Sequence, residues 1–294
     1  MKKAFKRILS VLLVAVMIIG SAPMSGFAEL EWPKWLNFDF LKIKASAEEF
    51  NYGDYTYTLD SENNATITGF KKSYSGSLNI PSVIGDSNYK VVAIGDSAFS
   101  GCEKLTGVTI PDSVTSIGDY AFSGCKRLSN ADLGSVEELG YFIFNGCVSL
   151  KSITIPKTVK NADYSSTTYY NGPFAGSSIE TATIEKGIAN IPEYLFSNCT
   201  TLKTVTIPEK DDALDEYEIG DYAFYNTSLT KVELPKSATS IGNNTFASCT
   251  SLTSVTIQNN VKSIGDYAFS GCENLTSVTI PDSVTSIGDY AFSG

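Results

Sequence analysis

Residues 264–286 read IGDYAFSGCENLTSVTIPDSVTS, and variants of this 23-residue unit recur along most of the chain. The landmark of the unit is the phenylalanine of its opening IGDYAF. This landmark occurs at Phe99, Phe122, Phe144, Phe174, Phe196, Phe224, Phe246, Phe269 and Phe292. Six of the eight steps between neighbours are 22 or 23 residues long. A fixed period of this length is typical of a protein built from repeats of one short coil.

The two longer steps, of 30 and 28 residues, contain insertions. They read ADYSSTTYYNG at 162–172 and EKDDALDEYE at 209–218. Neither is apolar, so we expect both to project from the surface and to leave the core unchanged. The second insertion begins the densest acidic cluster of the chain. A solvated loop is its ordinary interpretation and a calcium site is the alternative, although the spacing matches no EF-hand loop.

Each coil is predicted to contain one short strand. LTSVTI at 275–280 ends in alternating apolar and polar residues and is rich in β-branched side chains, which is typical of a strand. Pro281 ends it because proline has no N–H to donate, and the residues at 264–266 and 270–271 supply turns. Burying the apolar side chains of one coil offsets less free energy than ordering about 23 residues costs. The coils must therefore stack, and the sequence predicts a repeat solenoid.

The pattern L-x-x-V-x-I-P-x-x-V-x-x-I-G-x-x-A-F-x-x-C resembles the leucine-rich repeats of the BspA-like bacterial surface proteins. The resemblance covers about residues 78–294. It implies a leucine-rich-repeat solenoid of 22–23-residue coils, mostly short β-strands and turns, with a strand of each coil along one face. It also implies a secreted or surface-attached protein, since adhesion to host proteins or other cells is attributed to some family members.

The N-terminal segments are predicted to be a signal peptide and a lead-in. Residues 1–28 combine a basic start, the apolar run at 8–20 and small residues before a cleavage site after Ala28, with ASA at 45–47 as the alternative site. The apolar run is too short to span a bilayer, so no membrane span is expected after cleavage. Residues 29–51 form the lead-in, whose two tryptophans suit either a strip on the first coil or a membrane-surface or partner contact.

Residues 52–93 are predicted to be an N-terminal cap and a partial repeat. YTYTL at 55–59 and ATITGF at 65–70 read as a β-hairpin around the turn residues at 60–64, and LNIPSV at 78–83 is a partial repeat. An atypical unit is expected here because the end of a solenoid exposes apolar core and unpaired strand edges.

The leucine-rich-repeat array is predicted to cover residues 94–294 and to be truncated at its C-terminus. Residues 270–294 repeat 100–124 with two differences, yet the earlier copy continues into Cys125 and another strand. We therefore expect the natural protein to continue through further coils.

The composition restricts the chemistry that the protein can perform. The chain has no histidine, the commonest general base and metal ligand, and no glycine-rich phosphate loop or CxxC motif. We therefore predict no enzyme and no catalytic, cofactor or metal site. Without residues 1–28 the chain has 32 acidic and 18 basic residues, a net charge of −14. Such a surface repels nucleic acid and anionic lipid, which are not expected as partners.

Each of the six cysteines lies three residues after a landmark phenylalanine. They are Cys102, Cys125, Cys147, Cys199, Cys249 and Cys272. Stacked neighbours would lie about 4.8 Å apart, but parallel side chains hold their Cβ atoms wider than the roughly 3.8 Å that a disulfide prefers. A structural ladder of buried free thiols is therefore predicted, with scattered disulfides or a metal or redox role as alternatives. Titration after denaturation without reductant should find close to six thiols.

The residue before the last isoleucine of each predicted strand should face solvent. It is a threonine in six coils, at Thr109, Thr154, Thr183, Thr206, Thr256 and Thr279. Asp132 and Glu233 interrupt this row. We consider it a candidate ligand face, with a neutral strand surface and an ice-binding array as alternatives.

A second row consists of tyrosines beside the buried Ala-Phe pair, at Tyr120, Tyr222, Tyr267 and Tyr290. They are expected to pack as a half-buried stripe on the far face. An exposed aromatic ladder would instead suit a glycan or a protein partner.

These observations predict an exported, non-enzymatic leucine-rich-repeat protein that mediates protein–protein or cell-surface binding of an adhesion type. It would be secreted or held on the bacterial cell surface, and its partner would be a protein or a glycan on another surface. The alternative is a structural spacer that presents a missing C-terminal domain.

Overall fold

The computed structural model describes residues 48–163, 170–209 and 216–294. These residues form strands and turns stacked as a solenoid, with no helix among them, and hence none that could span a membrane. The predicted solenoid is therefore confirmed. The predicted signal peptide, most of the lead-in and the middle of both insertions lie outside the described residues.

The predicted N-terminal hairpin is present and carries one additional strand. β1 (Glu49–Tyr52) and β2 (Tyr55–Leu59) pair antiparallel, and β2 pairs in the same way with β3 (Ala65–Phe70). The strand-paired region thus begins three residues before the predicted boundary at residue 52. Phe70 packs against Phe99 of the first full coil, with ring centroids 5.1 Å apart, so the hairpin joins the core of the array.

The predicted strands stack in parallel in what we call the threonine column. It consists of β4 (Gly76–Asn79), β7 (Leu105–Thr109), β9 (Asn130–Asp132), β11 (Ser152–Ile155), β13 (Thr181–Ile184), β14 (Thr204–Thr206), β16 (Lys231–Glu233) and β18 (Ser254–Thr256). Pairing breaks after β9 and after β14, which divides the column into three sheets.

The strand predicted at 275–280 is wrong, because this segment forms no strand in the structure. Its apolar residues Leu275, Val278 and Ile280 are only partly buried against the core. The segment has the alternating pattern of a strand but makes no ladder with the neighbouring β18. A strand exists only where a neighbour supplies hydrogen bonds, and the pattern alone does not ensure this.

A second parallel column, which we call the Ile-Gly column, is formed by strands that end at the isoleucine of each IGD or at its equivalent, and it is divided into two sheets. After β3 it consists of β6 (Tyr89–Ile94), β8 (Ser116–Ile117), β10 (Glu138–Leu139), β12 (Asn161–Ala162), β15 (Glu218–Ile219), β17 (Ser240–Ile241), β19 (Ser263–Ile264) and β20 (Ser286–Ile287). The short β5 (Val83–Ile84) pairs antiparallel with β6. The sequence assigned a turn to 264–266, whereas Ile264 in fact ends β19.

The turn around each landmark phenylalanine forms a third hydrogen-bonded column. The Phe99 N–H donates to the Ala121 carbonyl of the next coil at 2.8 Å, and the residues two positions before and after Phe99 donate in the same way. Most coils repeat these bonds. The geometry places two residues per coil in the left-handed region, such as Tyr120 (φ 55°) and Gly124 (φ 73°). The turns therefore bind neighbouring coils together as the strands do.

The landmark phenylalanines stack in one interior column, as predicted. From Phe99 to Phe292 neighbouring ring centroids lie 4.9 to 6.0 Å apart, and the ring planes differ by at most 26°. All are buried except Phe292. Residues at the same point of the sequence repeat therefore occupy the same place in each coil.

Candidate ligand-binding faces

The threonine row lies on the outer side of the threonine column. All six side chains are exposed. Thr154, Thr183 and Thr206 are register partners in β11, β13 and β14, so their hydroxyl groups form an aligned block of three. Asp132 is the register partner of Thr109, and Glu233 is that of Thr256. Thr279 is exposed but belongs to no strand. The row is therefore aligned only within the separate sheets.

Charges beside the threonine row are matched by opposite charges. Glu180 accepts a hydrogen bond from Lys203 at 2.8 Å and forms an ion pair with Lys151 at 3.4 Å. The hydrogen bond and charge of Lys203 lower the pKa of Glu180, with a smaller effect from Lys151. These pairs connect adjacent coils. Near these pairs the face presents hydroxyl groups between neutralised charges, which suits hydrogen bonding to an uncharged ligand surface, whereas Asp132 and Glu233 place negative charge in the other two sheets of the row.

A notch of 350 Å³ interrupts the threonine column where β9 and β11 do not pair. Asp132, Thr154 and Glu185 are among the residues that line it. The Glu185 carboxylate accepts a hydrogen bond from the Lys157 N–H at 3.1 Å. The notch is a depression in an otherwise strand-built face.

The six cysteines are buried and unbonded to one another in the structure. Their thiol groups hydrogen-bond to neighbouring coils, as in the donation from Cys147 to the Phe122 carbonyl at 3.1 Å. Thr227 occupies the cysteine position of its own coil, and its hydroxyl lies 3.2 Å from the Cys249 sulfur. Burial raises the pKa of Cys249 to about 11. The Cys249 thiol therefore stays protonated at neutral pH, which does not favour nucleophilic chemistry there.

The tyrosine row is a stacked stripe at the left-handed position of the turns. Tyr267 and Tyr290 stack with centroids 5.1 Å apart, and Tyr222 stacks on Tyr194 at the same distance. Tyr222 is half-buried, whereas Tyr290 is 65% exposed. Tyr120 and Tyr267 are also exposed, at 37% and 42%. The rings stack as expected, but of the four predicted tyrosines only Tyr222 is half-buried, so the stripe is more exposed than the sequence predicted.

A groove that the sequence did not predict runs along the Ile-Gly column. Its largest part encloses 740 Å³ above β6, β8, β10 and β12. Two smaller depressions, of 350 and 310 Å³, share Glu193 with it and share Glu218 with each other. The depressions therefore form one continuous groove across the strands.

Carboxylates from most coils line this groove at the position after the glycine or its equivalent, and Tyr141 and Asn243 hold that position in the other two. The Asp96 Oδ1 accepts the Asp119 N–H at 3.0 Å, and the Asp119 Oδ1 accepts the Tyr141 N–H at 3.1 Å. Gly118 must be glycine, because a Cβ there would overlap the Asp96 Oδ1 and would lie 2.7 Å from the Asp96 nitrogen. The repeated Gly-Asp pair was the available signal for this ladder, since its aspartate keeps the same phase in most coils.

The groove carboxylates are crowded by burial and by one another. Burial raises the pKa of Asp119, and the charges of Asp96 and Asp163 add to this. Burial likewise raises the pKa of Glu193, with further contributions from Asp221 and Glu218. No cluster of three potential metal ligands exists in the described part of the chain. The groove therefore concentrates negative charge without assembling a metal site.

The hydrogen-bonded columns and the stacked phenylalanines together define a leucine-rich-repeat solenoid. The chain belongs to the BspA type leucine-rich repeat family, whose model matches six copies at residues 67–171 and 217–294. The resemblance seen in the sequence is thus confirmed. None of the curated proteins matches the chain.

Several solved structures of bacterial leucine-rich-repeat proteins are similar to this chain. A leucine rich cell surface protein from Faecalibacterium prausnitzii is 28% identical, with a TM-score of 0.53 over 85% of this chain and 74% of that one. A leucine-rich repeat protein from Bacteroides capillosus is 34% identical, with a TM-score of 0.40 over 47% of this chain and 98% of that one. The similarity to the first structure supports a leucine-rich-repeat protein of the bacterial surface type.

Proposed function

We propose that this protein is an exported, non-enzymatic binding protein that displays its repeat surface to a macromolecule on another surface. The observation that carries the proposal is the aligned threonine block of β11, β13 and β14, held on a stacked core. A rigid surface with the same group once per coil lets a partner make many equivalent weak contacts. The similarity to a cell surface protein supports a location outside the cell or on its surface.

The threonine row suits a protein partner because it is an exposed, nearly neutral strand surface. Its hydroxyl groups can donate and accept hydrogen bonds, and the paired charges beside it do not repel a partner of either sign. The two insertions lie between coils within the array and add further candidate contacts, although their middle residues lie outside the described part. Adhesion to a protein or glycan therefore remains our first proposal for this face.

The test compares two pairs of exposed threonines that receive the same charge. Thr154→Lys with Thr206→Lys places two long charged side chains within the aligned block and should lower affinity roughly tenfold. Thr115→Lys with Thr285→Lys is the matched control, because Lys160 and Lys262 already occupy the equivalent positions in other coils. Pull-down with the immobilised chain identifies the partner, and titration of that partner measures each affinity.

Equal affinities of the two variants, unchanged after both insertions are trimmed, would move the site away from this face. Circular dichroism of both variants should match that of the parent, which separates loss of binding from loss of folding.

A structural spacer is the second candidate, because residues 100–124 and 270–294 are nearly identical. Coils that repeat without change add length to a solenoid and no new binding chemistry. Deleting one whole 23-residue coil distinguishes the two functions. A spacer should tolerate the deletion, whereas a binder should lose affinity when the deleted coil belongs to its site.

A further inference from the structure

The groove along the Ile-Gly column is a second exposed sheet face and differs in charge from the threonine face. Lys160 lines the adjoining depression, whereas the largest part is lined by five carboxylates and by no lysine or arginine of the described residues. The five carboxylates are Asp96, Asp119, Glu138, Asp163 and Glu193. Some carboxylates elsewhere pair with lysines of adjacent coils, as in Glu103 with Lys126 at 2.8 Å. The largest part of the groove, by contrast, brings five carboxylates together with no basic side chain beside them in the described part of the chain.

The groove carboxylates keep capacity for a ligand after their structural bonds are made. Asp96 and Asp119 each use Oδ1 to accept a backbone N–H of the next coil. The Tyr141 side chain also interacts with the Asp119 carboxylate, whereas no hydrogen bond to the Asp96 Oδ2 is present among the described residues. A cleft with one sign of charge and low-dielectric walls focuses its field and attracts a ligand of opposite sign.

The shape of the groove restricts which cation could occupy it. The groove crosses the strands from β6 to β19, and its carboxylates lie on coils stacked about 4.8 Å apart, with Tyr141 and Asn243 at the equivalent position in two coils. A single metal ion, with oxygen ligands at about 2.0–2.6 Å, could bridge no more than adjacent coils, and the described residues contain no three-ligand cluster for it. An elongated ligand with several positive charges could engage successive coils at once.

We propose that this groove docks an extended polypeptide segment rich in lysine or arginine. Charge complementarity selects this occupant, because the side chains of lysine and arginine are long enough to reach carboxylates on successive coils. The inference deepens the proposed binding function and assigns a partner chemistry to a face distinct from the threonine row.

The test measures binding of a fluorescent oligolysine peptide to the purified full chain by anisotropy. Oligoglutamate of the same length and an uncharged oligosaccharide are the comparison ligands. We expect oligolysine alone to bind, with an affinity that falls as salt is added.

Two variants with the same change in net charge distinguish the groove from general attraction to an acidic protein. Asp119→Asn with Glu193→Gln removes two groove charges and should weaken oligolysine binding roughly three- to tenfold, given the usual strength of exposed charge pairs. Glu103→Gln with Glu180→Gln removes two charges beside the threonine column and should weaken it less than about twofold.

Equal weakening in the two variants would overturn the groove assignment, and so would preferential binding of the oligosaccharide. Failure of oligolysine to bind at low salt would also overturn it. That last result leaves the proposed binding function standing if the pull-down partner still binds and still responds to the threonine variants.

Discussion

At the scale of single residues, a groove aspartate stabilises the stack through a hydrogen bond, but its negative charge is unfavourable where it lies. Asp119 accepts a hydrogen bond from the next coil but is partly buried among other carboxylates, and burial raises its pKa. Asn243 occupies the equivalent position, and its Oδ1 accepts the Asp266 N–H at 2.8 Å. An uncharged amide can therefore replace the carboxylate in this ladder.

We predict that Asp119→Asn raises the melting temperature at pH 7. A raised folded-state pKa means that the native state holds the proton more tightly than the unfolded chain does. The favourable contribution of Asp119 is thus present below its unfolded pKa of about 4 and is lost as pH rises through the folded pKa. The gain from asparagine should therefore shrink as pH falls towards that range, as measured by thermal melts across pH.

Asp60→Asn is the matched control with the opposite sign. Hydrogen bonds from Asn64, and then from the Glu62 N–H, lower the pKa of Asp60. Its stabilising contribution is therefore present above the unfolded pKa and is lost as pH falls. The variant should melt lower than the parent at pH 7 and should approach it in acid. Two variants shifting in the same direction at neutral pH would contradict this account.

At the scale of the element, the turn column depends on residues that tolerate the left-handed region. Two positions after the landmark phenylalanine, most coils have glycine, such as Gly271 with a φ of 72°. Ser248 holds the same position with a φ of 60°, and its N–H donates to the Ser270 carbonyl at 2.7 Å. The same backbone geometry is thus maintained by a residue that adopts it less readily.

Ser248→Gly is expected to stabilise the array. Glycine removes the steric cost of the left-handed region, which exceeds its extra entropy loss on folding, for a net gain of about 0.5 kcal/mol. Urea unfolding should show a higher midpoint with an unchanged slope. In the opposite direction, Gly271→Val places a β-branched residue at this φ and should lower the urea midpoint. A gain in stability from valine would refute the assigned turn geometry.

At the scale of the whole molecule, stability is shared between adjacent coils rather than around one central core. Phe196 stacks between Phe174 and Phe224 at 5.2 and 5.7 Å, and its N–H donates to the Ala223 carbonyl. In such an array each coil contacts only its neighbours, so a local defect weakens two interfaces and leaves distant coils intact.

Phe196→Ala should therefore destabilise the middle of the array by about 3–5 kcal/mol. Hydrogen exchange should accelerate most at amides bonded across the affected coils, such as Phe196, and least at distant ones such as Phe122. Thr206→Ala is the control, because its side chain is exposed and should cost less than about 0.5 kcal/mol. Uniform acceleration along the array would show one cooperative unit and contradict the neighbour-only description.

The sequence by itself determined the repeat, the phenylalanine column and the hairpin before the first coil. These features depend on the period of the landmark, on apolar side chains at constant phase and on alternation within 55–59 and 65–70. Each of these properties can be read along the chain. A side chain that recurs once per coil must occupy the same place in every stacked coil, so its phase in the sequence predicts its position in the structure.

Only the tertiary structure decided which segments pair, and therefore where the groove lies. The strand predicted at 275–280 fails although its pattern is suitable, while the two-residue β17 and β19 form a ladder that no alternation reveals. The turn column and the aspartate ladder likewise consist of bonds between residues about one coil apart. Those bonds depend on how closely successive coils approach at each face, a distance that the pitch and curvature of the stack decide and that no local pattern contains.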